Sequence, residues 1–220
     1  MEYLDLSFIL LSFSSLFALL NPIGIAPIVL SLTEGYDFQE YKRLIRKSIF
    51  FACIILLTFA IMGKIIFSFY GITLHAFKIA GGILFLRIGI NMLEAKVSRT
   101  KSTPKESKEA ESNTDIAFSP IGIPLIAGPG AITSVMILSA QTISFNQKII
   151  FYLNIIITLF LTLLILTLAK KLTKKLGTVG LRVIERIMGM ILMVVAVQFI
   201  IDGVGVVLQI YVTNLTQIIR

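Results

Sequence analysis

Asn21, Pro22 and Gly24 in the stretch NPIGIAPI, and Ala127, Gly128, Pro129 and Gly130 in PIGIPLIAGPGA, set proline and glycine inside apolar segments. Proline has no backbone N–H to give, and glycine accepts backbone angles that other residues resist. Pro22 therefore leaves the carbonyl of Ala18 without its helical donor, and Pro27 does the same to Ile23. Pro120, Pro124 and Pro129 repeat the effect in the second stretch. A helix interrupted this way gains an interior start, with free N–H groups and partial positive charge, and an interior end with free carbonyls. The start suits a carboxylate. The end suits an ammonium group or a cation. Two such interruptions facing each other could hold both ends of a zwitterion, such as a small amino acid, without any ionised side chain.

Few side chains compete with that chemistry. Thr133 and Ser134 follow Gly130 by three and four residues, at the mouth of a helix starting there. Asn91 and Gln198 are neutral amides in apolar surroundings, able to touch a substrate or to join helices. Among ionisable groups, Asp202 in IIDG is the candidate for coupling to a proton. Arg87 falls near the middle of an apolar segment, Glu94 two turns beyond it, and His75, the only histidine, in what reads as an exposed loop. One cysteine (Cys53), one histidine and scattered acids supply no nucleophile with its base, no carboxylate pair and no metal set. The expectation is no enzyme, no cofactor and no metal.

The elements that must position these residues are apolar. The 220 residues are 56% hydrophobic and only 15% charged, too apolar for a water-facing surface. Mostly apolar runs of 18 residues or more recur without strand-like alternation, which predicts an all-α polytopic membrane protein rather than a barrel. Six spans are expected, near 5–33, 46–70, 76–96, 118–140, 148–170 and 184–210. The first is too long for one straight crossing, so it must tilt or break. The net charge of +8 sits at span ends rather than on a soluble nucleic-acid surface. Lys42, Arg43, Arg46 and Lys47 follow span one. Lys96, Arg99, Lys101, Lys105 and Lys108 follow span three. Lys170, Lys171, Lys174, Lys175, Arg182 and Arg186 follow span five. By the positive-inside rule these loops face the cytoplasm and both termini lie outside, in a cytoplasmic (inner) membrane. The acidic start MEYLDLSF is no signal-peptide n-region, so the first span is expected to stay. Residues 98–117 form a charged cytoplasmic linker between units 1–97 and 118–220.

Those units share a spacing. KIAGGIL (78–84) and RIMGMIL (186–192) match at an offset of 108, which also lays Leu30-Ser31 on Leu138-Ser139 and Asn21-Pro22 on Pro129-Gly130. Three spans per unit invert the second copy, the arrangement of an inverted-topology repeat with its site between the copies. At NPIGIAPIVLSLT, IPLIAGPGAIT, KIAGGILFLRIGINML and RIMGMILMVVAVQFIIDG the chain resembles the MarC family of six-span membrane proteins. The resemblance implies inverted three-helix repeats with helices 1 and 4 discontinuous. It also implies transport of glycine- or alanine-sized amino acids driven by an H+ or Na+ gradient. The alternative is a channel or exporter for another small solute or drug, since broken helices also line pores.

Overall fold

The computed structural model describes residues 2–94 and 117–218. The predicted linker 98–117 therefore lies, apart from Ala117, outside the described residues, as do Lys96 and Arg220. The described chain is all helical: α1 (Glu2–Leu20), α2 (Pro22–Leu32), α3 (Phe38–Tyr70), α4 (Leu74–Leu93), α5 (Ala117–Ile126), α6 (Pro129–Gln141), α7 (Phe145–Thr167) and α8 (Ala169–Ile218). Five runs are long and apolar enough to cross a bilayer: Leu6–Leu32, Phe38–Tyr70, Leu74–Leu93, Phe145–Thr167 and Val179–Gln209. The expected span 118–140 is divided. Its first part, α5, is a wide irregular coil with extended backbone at Ser119 and Ile123, and its second, α6, has 13 residues. Neither part alone reaches crossing length.

Two boundaries differ from expectation, for local reasons. α3 starts eight residues before 46, because Asp37 accepts from the Glu40 N–H while the Glu40 carboxylate accepts from the Asp37 N–H. That reciprocal cap draws the basic stretch 42–47 into the first turns of the helix. Ser144 and Gln147 cap α7 in the same way. The lysine-rich stretch after α7 is helical too, and α8 bends at Gly177 (φ 62°, ψ −179°), a left-handed angle that glycine takes without strain. His75 is also displaced: it sits in the first turn of α4, half-buried, not in a loop.

The packing interlocks the two halves of the chain. α3 lies on α5, α6 and α7, whereas α7 lies on α1, α2 and α3. α8 covers α1 and α2, and α4 covers α6. The largest interface joins α4 to α8 along small residues spaced by seven. A Cβ on Gly82 would stand 2.7 Å from the Ala196 carbonyl oxygen, one on Gly89 2.9 Å from that of Gly189, and one on Gly203 2.8 Å from that of His75. The ascending series 75, 82, 89 meets the descending series 203, 196, 189, so the helices run antiparallel with their backbones in contact. Side chains would hold them apart.

Leu16, Leu20, Ile25, Phe85, Phe151 and Phe199 are fully buried at the centre. Outward faces carry Phe50, Ile61, Ile65, Phe160 and Val194, each more than half exposed, a surface matched to hydrocarbon rather than water. Buried hydroxyls are returned to the backbone, as for Ser15 on Leu11, Thr158 on Asn154 and Thr162 on Thr158. Others tie helices together: Asn154 donates to Ile9 and Ser12, Tyr41 to Leu166, and Ser139 to Ala60.

Candidate functional site

Between α1 and α2 the chain turns over in one residue. Asn21 takes a left-handed conformation (φ 45°, ψ 56°), which asparagine tolerates better than most residues. Its backbone stays in the helical ladder on both sides, donating to Phe17 and accepting from Ile25 at 3.0 Å each. Its Oδ1 accepts from the Gly24 N–H at 3.2 Å, so Asn21 is the N-cap of α2 and Pro22 its first residue. The Asn21 amide occupies the place where a Cβ on Gly24 would go. That is why glycine follows three residues after the cap. Asn21 is 4% exposed.

The second interruption differs in one respect that matters chemically. Gly128 caps α6 with extended backbone and no side chain, and Pro129 opens the helix. Ile132 reaches back to the Gly128 carbonyl at 3.0 Å, but no acceptor meets the N–H groups of Gly130 and Ala131 among the described residues. Both residues are buried. Ser134 lies one turn on and is 0% exposed. Among the described residues its Oγ is the one buried hydroxyl without a hydrogen bond. Helical side chains lean toward the helix N-terminus, so this hydroxyl stands over the turn that begins at Gly130. Two N–H groups therefore stand at the start of α6, where the helix dipole is positive, with the Ser134 hydroxyl one turn further along the helix.

The two interruptions meet. A Cβ on Gly130 would stand 2.8 Å from Leu19 Cδ2, two residues before Asn21, and 2.9 Å from Ile88 Cδ1 on α4. The end of α1, just before Asn21, Pro22 and Gly24, thus packs on the first turn of α6, which follows Ala127, Gly128 and Pro129 and precedes Ser134. Asn91 is near it, half-buried and one turn beyond Ile88 on α4. Thr133 faces α4 instead, its methyl 3.0 Å from where a Cβ on Gly81 would be.

Gln198 and Asp202 lie elsewhere. Gln198 Nε2 donates to Asp202 Oδ1 at 2.7 Å, and Lys78 of α4 stands 3.6 Å from the other carboxylate oxygen. Lys78 is ten residues before Ile88, roughly 15 Å along the helix. The coupling candidate is therefore an ion-paired group near one end of the α4–α8 seam, apart from the helix breaks. Lys78, which the sequence does not connect with Asp202, is brought to it by the antiparallel packing of α4 and α8. Arg87 points outward and is exposed.

The offset of 108 also needs a correction of one residue at the breaks. Pro22 and Pro129, which open α2 and α6, are 107 apart, as are the capping pairs Asp37/Glu40 and Ser144/Gln147. Gly81 and Gly189 in the third segments, like Leu30-Ser31 and Leu138-Ser139, keep 108. The two proline helix starts are therefore one residue short of the offset of 108.

A family model described as the MarC family integral membrane protein matches residues 6–208. The UPF0056 membrane protein MJ1677 of Methanocaldococcus jannaschii is 40% identical over 205 residues, 91% of this chain and 98% of that protein. The UPF0056 membrane protein YvbG of Bacillus subtilis is 42% identical over 195 residues, 88% and 92% of the two chains. No solved structure matches the chain significantly.

Proposed function

The chain belongs to the MarC family of integral membrane proteins, and from that premise we propose that it is a secondary transporter of small neutral amino acids of the glycine and alanine type. In this reading α5 and α6 together complete a sixth crossing, and the units 1–97 and 118–220 are inverted three-helix repeats. Spans one and four are their discontinuous members. The protein lies in the cytoplasmic membrane with both termini outside and draws on an H+ or Na+ gradient.

One observation carries the proposal: Gly130 and Ala131 in the first turn of α6 are buried, the helix has no side-chain cap, and Gly130 adjoins the end of α1. The Gly130 and Ala131 N–H groups and the Ser134 hydroxyl form a donor set for a carboxylate. Each hydrogen bond to a charged group contributes about 1.5–3 kcal/mol, so three bracket the roughly 4–8 kcal/mol of a millimolar-to-micromolar ligand. The carbonyls at the end of α1, whose Leu19 side chain packs on Gly130, would suit the ammonium group. Gly130 leaves no room for a larger neighbour, which favours a small side chain on the substrate. Because Ser134 and Ala131 are closed to solvent, a ligand enters only when the helices part. That requirement fits alternating access better than an open pore.

The test is uptake of an amino-acid panel into proteoliposomes with imposed sodium or proton gradients. Glycine and alanine should accumulate under one of the gradients, and larger or charged amino acids should not. Gly128→Val and Gly130→Val should abolish accumulation in protein that remains folded. Wild-type uptake by both folded variants would overturn the assignment of the site.

A further inference from the structure

The first eight residues of α8, AKKLTKKL, are helical before the bend at Gly177, while the apolar run of α8 begins only at Val179. At 100° per residue, Lys170, Lys171, Lys174 and Lys175 occupy one arc of the helix, and Ala169, Leu172, Thr173 and Leu176 occupy the opposite one. The four lysines are exposed, whereas Ala169 is buried and Leu172 and Leu176 are half-buried. This short helix joins two crossing helices, so it has to lie at the edge of the hydrocarbon. Leu168 and Val179, at its two ends, are 52% and 74% exposed, as lipid-facing residues would be.

A second basic stripe adjoins it. The Tyr41 hydroxyl donates to the Leu166 carbonyl, bringing the first turns of α3 beside the end of α7. Tyr41, Thr167 and Lys170 line one cavity of about 510 Å³ there. Arg43 and Arg46, one and two turns into α3, are exposed at this end. Lys170, Lys171, Lys174, Lys175, Arg43 and Arg46 outnumber the nearby acids Glu34, Asp37 and Glu40. Lysines spaced by four on one helix face repel one another unless anions lie against them.

We infer that the α8 entry helix, with the exposed start of α3, is a docking surface for anionic phospholipid headgroups of the bilayer. Its lysines take the phosphates while Leu168 and Val179 meet the acyl chains. The inference rests on charge complementarity and on the position of the helix at the membrane edge, and it is independent of the transport reading.

The test reconstitutes the full chain in an equimolar mixture of phosphatidylcholine and phosphatidylglycerol, re-extracts it in mild detergent, and measures the retained lipids by mass spectrometry. The wild-type chain should retain phosphatidylglycerol in excess of the bulk ratio. K170Q/K171Q/K174Q/K175Q should lose about tenfold or more of that preference, and the matching Lys→Arg variant should keep it. Salt near ~1 M, where the screening length falls to about 3 Å, should erase the preference. Should the fourfold variant fail to fold, K170Q/K171Q and K174Q/K175Q are measured separately, each with a partial loss expected. Equal enrichment in wild-type and Gln variants, or none in the wild type, would overturn the inference. Complete displacement of the lipid by equimolar inorganic phosphate would overturn its assignment to a lipid rather than to any phosphate.

Discussion

Asn21 caps α2, whereas Ser134 lies six residues past the Gly128 cap of α6, and the two treat their polar groups in opposite ways. Asn21 gives its side-chain oxygen to the N–H of Gly24 and so completes its own helix. Ser134 holds a hydroxyl that makes no hydrogen bond among the described residues, one turn into a helix that has no side-chain cap there. A buried hydroxyl without a partner costs stability, so Ser134→Ala should leave the melting temperature unchanged or raise it. The same change should weaken glycine binding by about 10-fold or more, since a hydrogen bond to a charged group is lost. Unchanged affinity in a folded S134A protein would remove Ser134 from the site. Asn21→Ala is expected to behave in reverse. It should destabilise by about 1 kcal/mol through the lost cap, and Asn21→Gly should cost less because glycine accepts the left-handed angle. Thermal unfolding in detergent reads both. Some of this was legible in the residues alone: Asn before Pro is the mark of a capped helix start, and Gly128-Pro129 marks a start with no side chain to cap it. That Ser134 has no partner was not legible, because it depends on which helices surround it.

Glycines behave as a set when whole elements pack. Gly82, Gly89, Gly189 and Gly203 bring the α4 and α8 backbones into contact, so Gly89→Val or Gly189→Val should cost about 1–3 kcal/mol or more. Gly205 is the internal control, with open space where a Cβ would go; Gly205→Ala should be neutral or mildly stabilising. A seam that tolerated valine at Gly89 as well as alanine at Gly205 would contradict the packing. Lys78 and Asp202 join the same two helices near one end of the seam. Asp202 is about one-third exposed, which limits an ion pair of this kind to under about 1 kcal/mol. Asp202→Asn should therefore barely move the melting temperature. If the pair latches the helices during transport, D202N should still slow uptake, and the reversed pair K78D/D202K should recover part of it. Recovery of nothing, with both proteins folded, would separate the pair from transport. The helices themselves were readable from apolar period and caps. The partner of Asp202 was not, because Lys78 lies more than a hundred residues away and only the antiparallel seam brings them together. The lysine-rich stretch after α7 reads as a loop by charge alone. Its lysine spacing, however, leaves one face of a helix apolar.

At the scale of the molecule, the halves are exchanged rather than side by side. α3 packs on α5 and α6 of the second half, and α7 packs on α1 and α2 of the first. Segments 1–97 and 118–220 made alone should each fail to give a monodisperse protein, and made together they should co-purify as one complex. A stable isolated half would contradict the interlocking. The sequence offset of 108 does not hold at the two helix starts, which are 107 apart. Apolar segments align almost equally well at neighbouring registers, whereas the caps at Pro22 and Pro129 fix the register uniquely. The interlocked bundle and the closed, donor-lined start of α6 together support a carrier that binds a zwitterion and moves with it. Counterflow tests that claim most directly: proteoliposomes loaded with unlabelled alanine are diluted into a trace of labelled alanine. A carrier should accumulate label transiently above equilibrium, and Ser134→Ala should lower the overshoot. Label that only rises to equilibrium, or that matches protein-free vesicles, would contradict the account.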